Sequence, residues 1–331
     1  MKQIRQEENV MTLQYIDNIL VIPKKQVIDL HGNGFNITIN VNLNDYYPSI
    51  RCVNDLIFVQ FGIQGCIYVY TNSGKLMKEI QGDFYFTNSI YNDNSLFFRG
   101  ESKHGRIAYC LNLSDFSVRE IVSLEWPFYY KDGIGLYIKK KWDVTEELVN
   151  AVDFETQKEK FKLYLTEYTE GIFHLCKSIL IIALKNRNLI GFSAITGEKL
   201  WELEDCFNYY NLDEATGLLY GYGGERFEII DAVKGEKVFQ KQFEGSMDKY
   251  KIFVSQHMST LYGDGLYFTS NMQQIKFGKV NIYTHEIEFV QDLMEDKERV
   301  GRANAGKPIY HNGRLYILDT MNVLHVFEDE K

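Results

Sequence analysis

Along the chain a tight polar turn is followed by a burst of β-branched, leucine and aromatic residues, and this alternation returns about every forty residues. The turns fall at Asp17-Asn18, Asn54-Asp55, Asp93-Asn94, Asp132-Gly133, Lys177-Ser178, Thr216-Gly217, Asp264-Gly265 and Asn312-Gly313, and they lead into runs such as ILVI, LIFV, LFF, LLY and LYF. Apolar runs this short, bounded by turn residues, have the length of strands rather than helices. A fixed period of that length marks one supersecondary unit that buries its faces only against its neighbours.

The units have an internal layout. After Asn188 the chain reads LIGFSA, the turn ITGEK and then LWELE; after Arg226 it reads FEIIDA, the turn VKGEK and then VFQKQF. Each is a hairpin with a glycine-containing turn. Upstream of each lies the polar-turn strand, and before that a short strand such as SIRCV, TNSIYN, IFHLC or YYNL. The unit is therefore four antiparallel strands, A to D, which is the form of a propeller blade. The predicted fold is an all-β, single β-propeller spanning residues 1–331. Eight anchor turns favour eight blades, with seven as the alternative should the repeat around Thr216 be distorted. The last repeat stops after VLHVFEDE without an outermost strand, and the segment Lys2 to Glu8 has no other place. An open edge would leave backbone donors and acceptors unpaired, so the N-terminal strand is expected to close the ring.

GFSAITGEKLW (Gly191 to Trp201) resembles the repeat of the pyrroloquinoline-quinone-type (PQQ-like) propellers, and AVDFETQKEKF (Ala151 to Phe161) and IIDAVKGEKVF (Ile229 to Phe239) echo it more weakly. The resemblance covers about half the chain and implies that Trp201, Phe161 and Phe239 lock adjacent blades together. That family holds quinone-dependent dehydrogenases and non-enzymatic scaffolds. The adjacent Cys-Cys pair and the export signal that the enzymes typically carry are missing here, so the non-enzymatic branch and no cofactor are expected. Trp142-Asp143 is the one WD dipeptide and Gly223-Gly224 the one double glycine, too little for two rival propeller families.

Composition refines this picture. Four prolines and 25 glycines mark no linker, and no low-complexity stretch interrupts the repeats. The 23 tyrosines and 22 phenylalanines suit strands that fill the space between packed sheets. The start, MKQIRQEENVMTLQ, lacks a signal-peptide core, and no stretch of eighteen apolar residues occurs, so a cytoplasmic protein without a membrane span is expected. Cys52, Cys66, Cys110, Cys176 and Cys206 are odd in number and have no CxxC spacing, which reads as reduced thiols. A net charge of −9 argues against nucleic acid as the partner and is compatible with a basic protein.

Catalytic signatures are missing: the sequence holds no HExxH, GxSxG, Walker-type or EF-hand motif. Its seven histidines are scattered, and no metal site is expected. The informative signal is loop length. The A–B and C–D turns are short, whereas Arg99 to Arg106, Lys139 to Leu148, Thr269 to Gly278 and Asp292 to Lys307 read as extended B–C or D–A connections. Both kinds of connection leave a blade at the same end, and loops there are the natural carriers of function. Near the crossovers an acid repeatedly precedes aromatics, at Asp45-Tyr46-Tyr47, Asp83-Phe84-Tyr85-Phe86, Glu125-Trp126, Glu167-Tyr168 and Asp205-Cys206-Phe207. These residues either pack between blades and cap turns or form an exposed acidic and aromatic rim.

The rim reading selects Asp45, Tyr46, Tyr47, Asp83, Tyr85, Trp126, Tyr129, Tyr168 and Tyr209, with Arg99, Arg106, Trp142 and Arg302 from the long loops, as partner-binding residues. The expected function is a non-enzymatic, protein-binding propeller, monomeric alone, of which a bacterial immunity protein or antitoxin occluding a basic toxin is one version. The alternative is a glycan-binding or glycan-processing propeller that uses carboxylates such as Asp45, Asp83 or Asp205 at the channel mouth.

Overall fold

The computed structural model describes all residues except 17, 33, 41–47, 62–64, 93, 103–104, 122–128, 132, 141–146, 155, 157, 166–168, 272–274, 295–303 and 330–331. Among the described residues the strands lie in seven antiparallel sheets, six of four strands and one of seven. The seven-stranded sheet is two blades fused through one long strand, Leu76–Asn92, which ends blade 2 and begins blade 3. Eight blades result, and the repeat around Thr216 is a regular one. By its internal contacts the chain divides into two compact units.

The first unit comprises Met1–Trp126, His311–Leu318 and Asn322–Lys331. Blade 1 is built from Gln14–Ile16, Ile19–Pro23, Val27–Gly32 and Phe35–Asn40. Blade 2 follows with Ser49–Val53, Leu56–Gln60 and Gly65–Thr71, and blade 3 ends with Ser95–Ser102, Gly105–Asn112 and Val118–Ile121. Between blades 2 and 3 a crossover loop was expected. The chain instead runs straight: Phe84 pairs with Gly65 of blade 2 and Gly100 of blade 3, and at that junction the buried Gln60 amide donates to Phe84 O (2.7 Å) and accepts from Phe86 N (2.9 Å). One apolar core lies between blades 1 and 2, around Val21, Leu30, Ile57 and Val59, and another between blades 2 and 3, around Phe58, Phe84 and Phe98.

The N-terminal strand closes the last sheet as the sequence predicts. Lys2–Glu7 pairs antiparallel with Leu324–Glu328, Gln3 opposite Phe327 and Glu7 opposite Leu324. In spatial order this sheet continues with Arg314–Leu318 and Ile309–His311. Lys24 fastens the strand from the neighbouring sheet, with its Nζ 2.7 Å from Glu7 and 2.6 Å from Asp29.

The second unit comprises Pro127–Tyr310 and Asp319–Met321. Blade 4 consists of Tyr129–Lys131, Ile134–Lys140, Glu147–Asp153 and Glu159–Leu165, and blade 5 of Thr169–Cys176, Ile179–Leu184, Leu189–Ser193 and Lys199–Leu203. Blade 6 consists of Asn211–Asp213, Leu218–Gly223, Arg226–Asp231 and Glu236–Gln242, and blade 7 of Val254–Tyr262, Gly265–Asn271, Ile275–Asn281 and Ile287–Asp292. Burial explains the sequence pattern. The second strand of blade 5 is buried at every position, having a sheet on each face, whereas the fourth strand of blade 4 alternates exposed and buried residues. A separate core fills each space between blades 4 and 5, 5 and 6, and 6 and 7.

Two regularities fix the hairpins. The C–D turn begins with a residue whose side chain accepts the backbone N–H two or three residues on: Thr71, Asn112, Asp153, Ser193, Asp231 and Asn281. The turn is then pinned by a fourth-strand ring from the preceding blade. Phe161 lies against Gly197, where any β-carbon would overlap it, Trp201 lies likewise against Gly235, and the Phe239 ring centroid is 3.7 Å from that of His285. Within each blade the A–B and C–D turns share one end of the sheet: Ala194 N donates to Ser178 O, Ala232 N to Gly217 O and Ile282 N to Asp264 O.

Candidate interaction surface

The other end, where B–C turns and D–A crossovers lie, includes the crossover 204–210 from blade 5 to blade 6. Its backbone is anchored by Cys206 N, which donates to Arg187 O at 2.8 Å in the B–C turn of blade 5. The Asp205 carboxylate sits between two guanidinium groups, 2.6 Å from Arg187 and 2.7 Å from Arg226. Desolvation acts against ionisation, but the hydrogen bond and charge of Arg226, together with the charges of Arg187 and Lys237, hold the Asp205 carboxyl below the usual carboxylate range. Arg226 also donates to Asp205 O (3.1 Å) and stacks 4.4 Å over the Phe207 ring, and Lys237 Nζ donates to the carbonyls of Glu204 and Asp205 at 2.8 Å.

Beneath this layer Glu228 is fully buried, at 0% exposure. The Tyr210 hydroxyl donates to it and in turn accepts from Phe207 N (2.8 Å), while Arg226 Nε lies 3.4 Å from its second oxygen. Burial and the neighbouring Glu228 charge push the Tyr210 hydroxyl far up, so it stays a proton donor. The network accounts for a charged pair, Arg226 and Glu228, flanking Phe227 in a strand that continues with Ile229 and Ile230. Cys206, pushed up chiefly by burial, is a packed thiol.

The crossover carries Tyr209 outward on this base. Asn208 N donates to Gln256 Oε1 at 2.8 Å, and Lys307 Nζ lies 4.9 Å from the Tyr209 ring centroid while donating to its hydroxyl. Lys307 is itself held in place, since the flanking carbonyls of Gly306 and Pro308 accept from Thr269 Oγ1 (3.0 Å) and Thr260 Oγ1 (2.6 Å). Beside these lies a one-turn helix, Ser246–Tyr250, whose Met247 N donates to Glu225 Oε1 at 2.8 Å. After it comes Phe253, 50% exposed. The surface thus presents Arg187, Asp205, Tyr209, Lys307 and Phe253, an ionic and aromatic mixture on hydrogen-bonded backbone.

Of the residues selected from sequence, Tyr209 is half-buried and stands in this surface. Asp83 is exposed and Tyr85 half-buried within Leu76–Asn92, in the first unit. Tyr85 pairs across strands with Arg99, while the neighbouring Phe84 and Phe86 are core residues. Of Arg99 to Arg106, expected as a loop, the described residues are strand, with Glu101 opposite Arg106. Tyr129 opens blade 4 opposite Leu136. Asp45, Tyr46, Tyr47, Trp126, Trp142, Tyr168 and Arg302 lie outside the described residues. Where described, the acid-aromatic runs put their acid outward and most of their rings inward: Cys206 and Phe207 are buried, as are Phe84 and Phe86. Sequence reasoning missed Arg187, Arg226, Glu228, Gln256 and Lys307. Only the Arg-x-Glu alternation within RFEIID signalled a buried ionic pair.

None of the five cysteines is in a disulfide, and three of them are buried. Among the described residues no group of three or more His, Cys, Asp or Glu side chains is placed to hold a metal, and no helix is long and apolar enough to cross a membrane.

No protein-family model matches the chain, and no curated protein matches it significantly. Solved structures do. The C-terminal WD40 domain of Sif2 is similar over 100% of this chain and 98% of its own, with a TM-score of 0.64 and 8% identity. BamB from Moraxella catarrhalis is similar over 99% and 98%, with a TM-score of 0.58 and 10% identity. Sqt1 from Saccharomyces cerevisiae is similar over 98% and 97%, with a TM-score of 0.55 and 12% identity. At such identities the likeness shows the fold alone: the chain is a β-propeller.

Proposed function

We propose that this chain is a non-enzymatic propeller of the PQQ-like kind that binds another protein through the crossover surface around Tyr209. One observation carries the reading: Tyr209, Lys307, Arg187 and Asp205 are offered to solvent on backbone that is itself hydrogen-bonded in place. Aromatic and arginine groups held rigidly at a surface are the usual anchors of protein recognition, because little side-chain entropy is lost on binding. The mixed charge favours one specific partner over a generic polyion. The recurring hairpin, with its capped turn and fourth-strand ring, supports the PQQ-like assignment. The biological version we favour is a cytoplasmic immunity protein or antitoxin, monomeric alone, that occludes a basic toxin. The net charge of −9 supports that partner chemistry.

The glycan reading is weaker at this surface, because its carboxylates are already committed. Asp205 is shared by two guanidinium groups, and Glu228 is buried under Tyr210. A general acid needs a raised, accessible carboxyl.

The test is site-specific photo-crosslinking in the native cell, with the photoreactive residue at Tyr209 or, as control, at the exposed outer-strand residue Tyr164. The expected result is one basic protein crosslinked in stoichiometric yield from Tyr209 and not from Tyr164. Equal yields from both positions, or none from either, would refute the reading. Growth rescue when the captured protein is co-expressed decides the toxin version.

A further inference from the structure

The opposite end of blades 5, 6 and 7 carries a feature the crossover surface does not explain. At the third residue of the turn motif, counted from the capping side chain, each blade exposes an apolar group: Ile195 (72% exposed), Val233 (41%) and Tyr283 (74%). The turns presenting them are rigid and alike. Ser193 Oγ accepts from Ile195 N and Thr196 N, Asp231 Oδ1 from Val233 N and Lys234 N, and Asn281 Oδ1 from Tyr283 N and Thr284 N. The turn itself does not need an apolar residue there. In blades 2 and 3 the same position holds Ser73 after Thr71 and Ser114 after Asn112, with the same backbone capping. Three exposed apolar tips at one repeat position are therefore an addition to the hairpin and not a requirement of it.

Charge at this end has a sign. Three residues beyond each tip stands an exposed glutamate: Glu198, Glu236 and Glu286. The neighbouring lysines are engaged, Lys199 with Glu202 at 3.0 Å, Lys234 with Asp231 at 3.3 Å and Lys177 Nζ with the Thr216 carbonyl at 3.3 Å. Glu286 pairs with Lys241, but Glu198 and Glu236 have no cationic partner among the described residues. Beside Ile195 opens a cavity of about 520 Å³ lined by Ile134, Leu175, Ala194 and Ile195 together with Lys160 and Ser178.

We propose that the turn tips Ile195, Val233 and Tyr283 form a second docking surface, for a partner polypeptide whose contact segment alternates apolar residues with lysine or arginine. Apolar groups of that segment cover the tips, one of them enters the cavity beside Ile195, and its cations meet Glu198 and Glu236. A second copy of this chain fits less well, because a two-fold contact would set the same carboxylates against each other. An anionic membrane is repelled by them.

The test uses the full chain and a short fluorescent peptide of alternating leucine and lysine, with a leucine-glutamate peptide of equal length as its counterpart, followed by anisotropy. The leucine-lysine peptide is expected to bind. Ile195→Ser with Tyr283→Ser, and separately Glu198→Lys with Glu236→Lys, should each weaken it about tenfold. The leucine-glutamate peptide should not bind. Tyr209→Ala should leave the affinity unchanged, which separates this surface from the crossover. All four substituted residues are exposed, so both double variants should fold, and either one decides the matter. Unchanged affinity in either double variant, equal binding of the two peptides, or self-association in sedimentation that Ile195→Ser with Tyr283→Ser abolishes would each overturn the proposal.

Discussion

Replacing Glu228 tests whether the crossover surface rests on a buried ionic base. In Glu228→Ala the Tyr210 hydroxyl loses its acceptor, Arg226 Nε loses its nearby carboxylate oxygen, and both lie where water does not enter. The buried Tyr210 hydroxyl left without an acceptor costs about 1–3 kcal/mol and the space left by the side chain adds to it, while Arg226 keeps Asp205 as its counter-ion. Glu228→Gln keeps volume and one acceptor oxygen but sets an amide against Arg226, so about 1–3 kcal/mol is expected. Tyr210→Phe removes one hydrogen bond to a charged acceptor, about 1.5–3 kcal/mol. Urea unfolding followed by tryptophan fluorescence measures these values, since Trp201 packs against the same core as Tyr210. In the double variant Glu228→Ala with Tyr210→Phe the losses should fall short of their sum, because the two groups are one unit. Hydrogen exchange should show the amides of 204–210 deprotected first. If Glu228→Ala costs no more than Glu286→Ala, an exposed carboxylate, the network does not hold the crossover and the reasoning fails.

Three further outcomes are expected. Deleting Lys2–Glu7 exposes the edge of Leu324–Glu328, so size-exclusion chromatography should show aggregate that the intact chain does not form; a deletion that elutes and melts as the intact chain does would contradict the closure. Acid should weaken the same region through Asp29. Burial acts to raise its carboxyl, but hydrogen bonds from Lys24 and Thr38 and the Lys24 charge hold it below the usual range. The folded pKa therefore lies under the unfolded value of about 3.9, and this stabilisation is complete well above that value and lost as pH falls through the folded pKa. Asp29→Asn should be less stable at neutral pH and decline less steeply below about pH 5, and parallel melting curves would exclude the linkage. Gly235→Ala should cost about 2 kcal/mol or more, because its φ of 68° strains any other residue and its β-carbon would overlap Trp201. Gly263→Ala, at φ 56° with open space around it, should cost about 1 kcal/mol, and equal losses would rule out the Trp201 lock.

The sequence by itself determined the repeat, the four-stranded unit and the closing strand, and it favoured eight blades over seven. Each rests on local chemistry: capped turns at a fixed interval, strands that read as continuous apolar runs when sheets cover both faces, and an edge that must be paired. Trp201, Phe161 and Phe239 were legible as locking residues through the resemblance of their hairpins to the PQQ-like repeat. What only the tertiary structure decided is which side chains from distant repeats meet. Alternation shows that Asp83-Phe84-Tyr85-Phe86 cannot present every ring to one face, but not that the segment runs straight into the next blade past a buried Gln60. Composition offers acids near aromatics, but Asp205 becomes a shared anion only because Arg187 and Arg226 arrive from two different blades. Lys307 reaches Tyr209 from almost a hundred residues away. Hydrogen bonds and ion pairs act over a few ångströms, so their partners are set by how sheets stack, and spacing along the chain carries no record of that.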